Sequence, residues 1–123
     1  MPVVEIRGLP QPDVDVEAVL SAVTRELAAL LGEEASGTWA AWEELPPGRY
    51  SEGGDAPSAQ PRSTHPPLVR VTAFEGRAPN VVAGMLRTVA ETLARELRLE
   101  PGNVFVRYEE QVSGRLFTGG SVR

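Results

Sequence analysis

The chain repeats itself. Displaced by 66 residues, Leu20 falls on Leu86, Val23 on Val89, Leu27 on Leu93, Leu31 on Leu97, Trp39 on Phe105, Trp42 on Tyr108 and Glu43-Glu44 on Glu109-Glu110. Displaced by 65, Pro2-Val3-Val4 falls on Pro67-Leu68-Val69. Apolar residues at spacings of three and four indicate a helix, and short β-branched runs indicate strands. Two copies of a strand–helix–strand unit follow, repeat one over 2–45 and repeat two over 67–111. Each helix is long enough for a right-handed crossover between parallel strands. Pairing the units predicts a single α/β (α+β) domain over 1–123, with a four-stranded sheet carrying both helices on one face.

The element boundaries come from local chemistry. Residues 2–7 read as the first strand. Asp13 or Asp15 is placed to accept the free amides of a helix carrying Val16, Val19, Leu20, Val23, Leu27, Leu30 and Leu31, and Gly32 suits its exit. Residues 38–44 form the second strand. Over 46–66, 8 of 21 residues are Pro or Gly, which neither a helix nor a central strand tolerates, so this is a connector, partly mobile. Leu68–Phe74 is the third strand. A helix then starts near Pro79 and carries Val82, Met85, Leu86, Val89, Leu93 and Leu97. Val104–Glu109 is the fourth strand. The C-terminal piece, 112–123, is a turn and a short extended run, Arg115–Thr118, between Ser113-Gly114 and Gly119-Gly120.

Strand alternation creates a requirement. If the helices cover Val4, Ile6, Val69, Val71, Val104 and Val106, the opposite face presents Trp39, Leu68, Phe74 and Phe105 with nothing left in the chain to cover it. Self-association is the simplest cover; the alternative is a connector folded back over that face.

Composition removes several classes of function. The 123 residues include 12 Lys+Arg and 17 Asp+Glu, a net charge of −5, and a nucleic-acid groove or an anionic membrane surface needs clustered cations. With no cysteine and one histidine, thiolate and multi-histidine metal sites are not expected, nor are cysteine nucleophiles. No run approaches the roughly 20 apolar residues of a membrane span, and no signal-peptide pattern opens the chain. A cytoplasmic protein is the expectation. Gly53-Gly54 lacks the lysine and following helix of a phosphate loop.

Together, Pro2 after the initiator Met, the tandem β-α-β units, Phe74-Glu75-Gly76-Arg77 and Gly114-Arg115-Leu116-Phe117-Thr118-Gly119-Gly120 resemble the tautomerase superfamily. The second half, Pro67 to Gly120, is similar to oxalocrotonate tautomerase. The fused length resembles carboxymethyl-hydroxymuconate isomerase, macrophage migration inhibitory factor and malonate semialdehyde decarboxylase. The resemblance implies a homotrimer, or a multiple of three, with helices outside and active sites between subunits. It implies a cofactor-independent, metal-free tautomerase acting on a small 2-oxo or enol carboxylic acid, with Pro2 as general base once Met1 is removed. Arg77 matches the family's carboxylate-binding arginine in the Glu-Gly-Arg segment. Two positions depart from the pattern: Phe105 stands where oxalocrotonate tautomerase has a second arginine, and Pro12 where a first-half arginine would stand. A muconate-type dicarboxylate is therefore not the expected substrate.

The candidate site is Pro2 as base, Arg77, Arg107 and Arg115 as anion ligands, and Phe105 and Phe117 as apolar wall. Arg107 lies on the same strand face as Phe105 and is the candidate replacement cation, with an intersubunit ion pair as its other reading. Arg70 is expected to face its neighbours across the sheet. Trp39, Trp42 and Tyr108 are expected in core or interface. Tyr50 and His65 in the connector are expected to be exposed, His65 being the one side chain able to serve as an acid near neutrality. The paired glutamates 33-34, 43-44 and 109-110 fall at element ends, where solvation is the default. Two alternatives remain: dehalogenation, hydration or decarboxylation at the same proline, and a noncatalytic trimer used for ligand binding or interaction, favoured if Met1 is retained.

Overall fold

A computed structural model describes residues 1–123. β1 (Val3–Gly8), α1 (Val16–Leu31) and β2 (Trp39–Glu44) form the first unit; β3 (Leu68–Phe74), α2 (Pro79–Glu96) and β4 (Phe105–Gln111) form the second. β1 pairs with β2 in parallel, and so does β3 with β4. β1 and β3 meet antiparallel at the centre, giving the order β2-β1-β3-β4. The expected four-stranded sheet with two helices on one face is what forms.

Local chemistry sets the ends as anticipated. Asp15 caps α1 by accepting the Ala18 amide, and Gly32 closes it in the left-handed conformation. Pro79 occupies the first turn of α2, where a missing N–H costs nothing. The core lies between sheet and helices: Val4 and Ile6 of β1 and Val69, Val71 and Ala73 of β3 meet Val19, Val23 and Leu27 of α1 and Met85, Val89 and Leu93 of α2. Within each strand these residues alternate with open-face ones, so a slip of one residue would expose that strand's whole set. Trp42 and Tyr108, equivalent under the repeat, both pack against this core from the outer strands.

The connector differs from expectation. It has no helix or strand beyond one bridge between Glu52 and Asp55, yet its side chains hold it to the sheet's end. Asn103, buried ahead of β4, donates to the carbonyls of Pro61, Arg62 and Thr64, and Gln60 donates to those of Pro61, Thr64 and His65. His65, expected to be exposed, is 1% accessible. Its Nε2 lies 2.7 Å from the Asp55 carbonyl, its Nδ1 2.9 Å from the Thr64 hydroxyl, and the Tyr50 ring stands edge-on at 5.2 Å. Backbone carbonyls left unpaired by an irregular segment need donors, and this is how buried polar side chains enter. Tyr50 is also partly buried, its hydroxyl donating to Pro66 O at 2.7 Å.

Because the connector is held at that end, it does not cover the open sheet face, where Trp39 and Phe105 are each 51% exposed. The C-terminus adds an element beyond expectation: β5 (Phe117–Thr118) turns through Gly119-Gly120 and pairs with β6 (Ser121–Val122). No helix is long and apolar enough to cross a membrane.

Candidate functional site

The antiparallel centre of the sheet gives it two equivalent ends. At one, the Trp39 amide donates to Pro2 O at 3.0 Å; at the other, the Phe105 amide donates to Pro67 O at 3.1 Å. Both prolines are buried. They differ in one covalent respect: Pro67 nitrogen is acylated by Pro66, whereas Pro2 nitrogen is acylated only by Met1. Loss of Met1 would turn the Pro2 nitrogen into a secondary amine.

The Pro2 end carries a cavity of about 200 Å³ lined by Met1, Val3, Glu5, Trp39, Thr72, Gln111, Leu116, Phe117 and Thr118. Three routes of the chain build it. β1 and the residues leading into it bring Met1, Val3 and Glu5; the open-face positions of β2, β3 and β4 bring Trp39, Thr72 and Gln111; the β5–β6 hairpin and the residue before it bring Leu116, Phe117 and Thr118. Phe117 is 71% exposed, a wall residue standing in solvent on its outer side.

Arg77 does not line this cavity. The Glu75 amide donates to Gln111 O at 3.1 Å, and the Glu75 carboxylate accepts the Ser113 amide at 2.9 Å. The Glu75-Gly76-Arg77 loop is thus tied to the strand that supplies Gln111 and to the turn that launches the hairpin. The Arg77 guanidinium donates through Nη1 to Phe74 O at 3.3 Å, and its Nη2 stands 3.7 Å from a carboxylate oxygen of Glu33. Arg115 is exposed in the turn before β5, with no carboxylate in ion-pairing distance.

Phe105 and Arg107 occupy the other end. Register places Phe105 beside Leu68 and Arg107 beside Arg70, whereas Val3 faces Thr72. With Glu5, Arg7, Ala41, Glu43, Leu68 and Arg70 they line a larger hollow of about 620 Å³ on the open face. Arg70 faces its neighbours as expected, 2.8 Å from Glu5 and 3.6 Å from Glu109. The hydrogen bond to Glu5 raises its pKa above the ordinary guanidinium value. Within one chain, then, Pro2, Arg77, Arg115 and Phe117 share an end, and Phe105 and Arg107 lie at the other.

Trp39, Thr72 and Gln111 were not singled out as cavity residues in the sequence. Their signal was present in strand parity, since all three alternate with core positions. Glu33 passed as one of a solvated pair, and nothing in its local sequence marks it as a partner of Arg77. No group of three His, Asp or Glu side chains is arranged to hold a metal ion.

No protein-family model matches the sequence, and no curated protein matches it significantly. Solved structures do match in shape. R7 fused 4-OT, an asymmetric trimer, is 20% identical with a TM-score of 0.81, over 98% of this chain and 94% of that one. Macrophage migration inhibitory factor of Toxoplasma gondii is 12% identical with a TM-score of 0.72, over 98% and 99%. N1, a member of the cis-3-chloroacrylic acid dehalogenase family, is 18% identical with a TM-score of 0.75, over 98% and 82%. The chain has the tautomerase-superfamily fold.

Proposed function

We propose that the protein is a homotrimeric, cofactor-independent tautomerase acting on a small 2-oxo or enol carboxylic acid, with Pro2 as general base after removal of Met1. The observation that carries this reading is the position of Pro2: buried at the head of a central strand, between two residues that line a cavity walled by Trp39 and Phe117. A terminal amine has an ordinary pKa near 7.7–8.0, so acting as a base at neutral pH calls for a lowered value. Apolar walls disfavour the ammonium form. The neutral amine takes a proton from the carbon next to the substrate carbonyl, giving an enol, and returns it elsewhere on the conjugated system.

Arg77 is the proposed carboxylate ligand; its loop is tied through the Glu75 amide to Gln111, a residue that lines the cavity. Arg115 lies in the same hairpin as Phe117 and supplies a further cation toward a bound anion. The uncovered open face with Trp39 and Phe105 supports the trimer, in which Phe105 and Arg107 serve a neighbour's site. The same amine supports dehalogenation, hydration or decarboxylation when its protonation state differs. The noncatalytic reading has one observation in its favour, that Arg77 already has Glu33 and the Phe74 carbonyl as partners.

Intact mass, light scattering and ketonisation of the enol of phenylpyruvate test the proposal together. Loss of Met1, a mass of three chains, and turnover that falls at least roughly 100-fold in Pro2→Ala support a proline base. Equal rates for the two proteins remove Pro2 from the mechanism. Complete retention of Met1 without turnover leaves the binding module, and a clean monomer refutes the intersubunit site.

A further inference from the structure

Glu33 is the one carboxylate in ion-pairing distance of Arg77. Gly32 turns the chain out of α1 in the left-handed conformation, and the Glu33 amide bonds back to Ala28 O at 3.0 Å, which fixes the residue at the helix exit. Its oxygen stands 3.7 Å from Arg77 Nη2, too far for a hydrogen bond but close enough to share the charge. The Arg77 side chain is only 22% exposed, against 40% for Glu33, so the field between them is weakly screened on the arginine side. Arg77 Nη1 is occupied by Phe74 O. The remaining guanidinium donors are what a substrate carboxylate would use, and any anion bound there approaches Glu33.

We propose that Glu33 is a specificity-determining residue that biases the Arg77 site toward monoanionic keto or enol acids and against dianionic ones. This rests on the reading of Arg77 as the carboxylate ligand. Arg77 and Glu33 together present close to zero net charge, so a single carboxylate gains a bidentate contact with little long-range attraction. A second carboxylate gains nothing further from the Arg77–Glu33 pair and is repelled by Glu33. Charge discrimination at this pair therefore works by repulsion.

The test compares two acids that differ at one end, 2-oxohexanoate with a terminal methyl and 2-oxoadipate with a terminal carboxylate. Binding is measured by calorimetry on the purified full-length protein and on Glu33→Gln, Glu33→Asp and Arg77→Ala. Glu33→Gln keeps the shape and removes the charge. It should tighten both acids and raise the preference for 2-oxoadipate over 2-oxohexanoate by roughly three- to tenfold, as expected for removing one like charge several ångströms away. The shift should shrink in high salt, and Glu33→Asp should restore the original ratio. A ratio unchanged in Glu33→Gln, while Arg77→Ala weakens both acids, overturns the role of Glu33 and leaves that of Arg77 standing. If Arg77→Ala changes neither acid, or neither acid binds, the Arg77 reading falls and Glu33 with it.

Discussion

Replacing Asn103 by Ala tests how the connector is held. The Asn103 amide nitrogen lies 3.3, 3.0 and 2.9 Å from the carbonyl oxygens of Pro61, Arg62 and Thr64, and the residue is 6% exposed. An amide has two N–H donors, so two net hydrogen bonds are lost, at about 0.5–1.5 kcal/mol each. The loss stays in the lower part of that range because each carbonyl keeps a second donor. Pro61 O and Thr64 O still receive Gln60 Nε2, and Arg62 O still receives the Glu100 amide. We expect about 1–2 kcal/mol. An unfolding entropy of about 2.1 cal/mol/K per residue over 123 residues converts this to a fall in Tm of about 4–8 °C, read by calorimetry at one fixed protein concentration. The sharing of acceptors gives a second, stricter expectation. Gln60→Ala combined with Asn103→Ala should cost more than the sum of the two single changes, because Pro61 O and Thr64 O then lose both donors. A shift below about 1 °C in Asn103→Ala, or strict additivity in the double variant, would refute the account of the connector as a segment held by shared side-chain donors.

Two further expectations follow from close contacts elsewhere. A Cβ added at Gly8 would stand 2.7 and 2.9 Å from the ring carbons Cζ2 and Cη2 of Trp42; Gly8→Ala should therefore cost about 1–3 kcal/mol by overpacking and shift the tryptophan emission, and an unchanged spectrum with unchanged stability would contradict it. Burial, and secondarily the charge of Glu52, raise the pKa of Tyr50, so the neutral phenol contributes stability that is intact below the unfolded value of about 10 and lost as pH rises through the raised folded value. Tyr50→Phe should be less stable at neutral pH through loss of the bond to Pro66 O, and the urea midpoints of the two proteins should converge above pH 10; parallel curves would exclude Tyr50 as the titrating group.

What could be read from the sequence was what repeats. Leu27 and Leu93, or Val4 and Val69, occupy equivalent sites in two copies, so periodicity and internal comparison supported each other and yielded the sheet, its helices and the parity of its faces. The connector has no counterpart in the other half. Its Pro and Gly content excludes helix and strand, but composition is silent about which side chains satisfy the carbonyls such a segment leaves free, and so His65 turned out to be buried. The pairing of Arg77 with Glu33 was equally hidden, since the two lie far apart in sequence and meet only through the ends of α1 and β3. β6 was missed because Ser121–Val122 is too short for alternation to register.

The matched hydrogen bonds at Pro2 and Pro67 show a backbone that treats the two ends of the sheet alike. Covalent connectivity does not. A polypeptide has a single amino terminus, so duplication within one chain doubles the scaffold without doubling any chemistry that depends on a terminal amine. Six strand–helix–strand units in three such chains would offer three amines, where six separate chains would offer six. At the joined end, Pro67 holds the backbone in the same place and its nitrogen stays a peptide for the life of the molecule. At that end the polar side chains of His65, Gln60 and Asn103 serve to hold the connector.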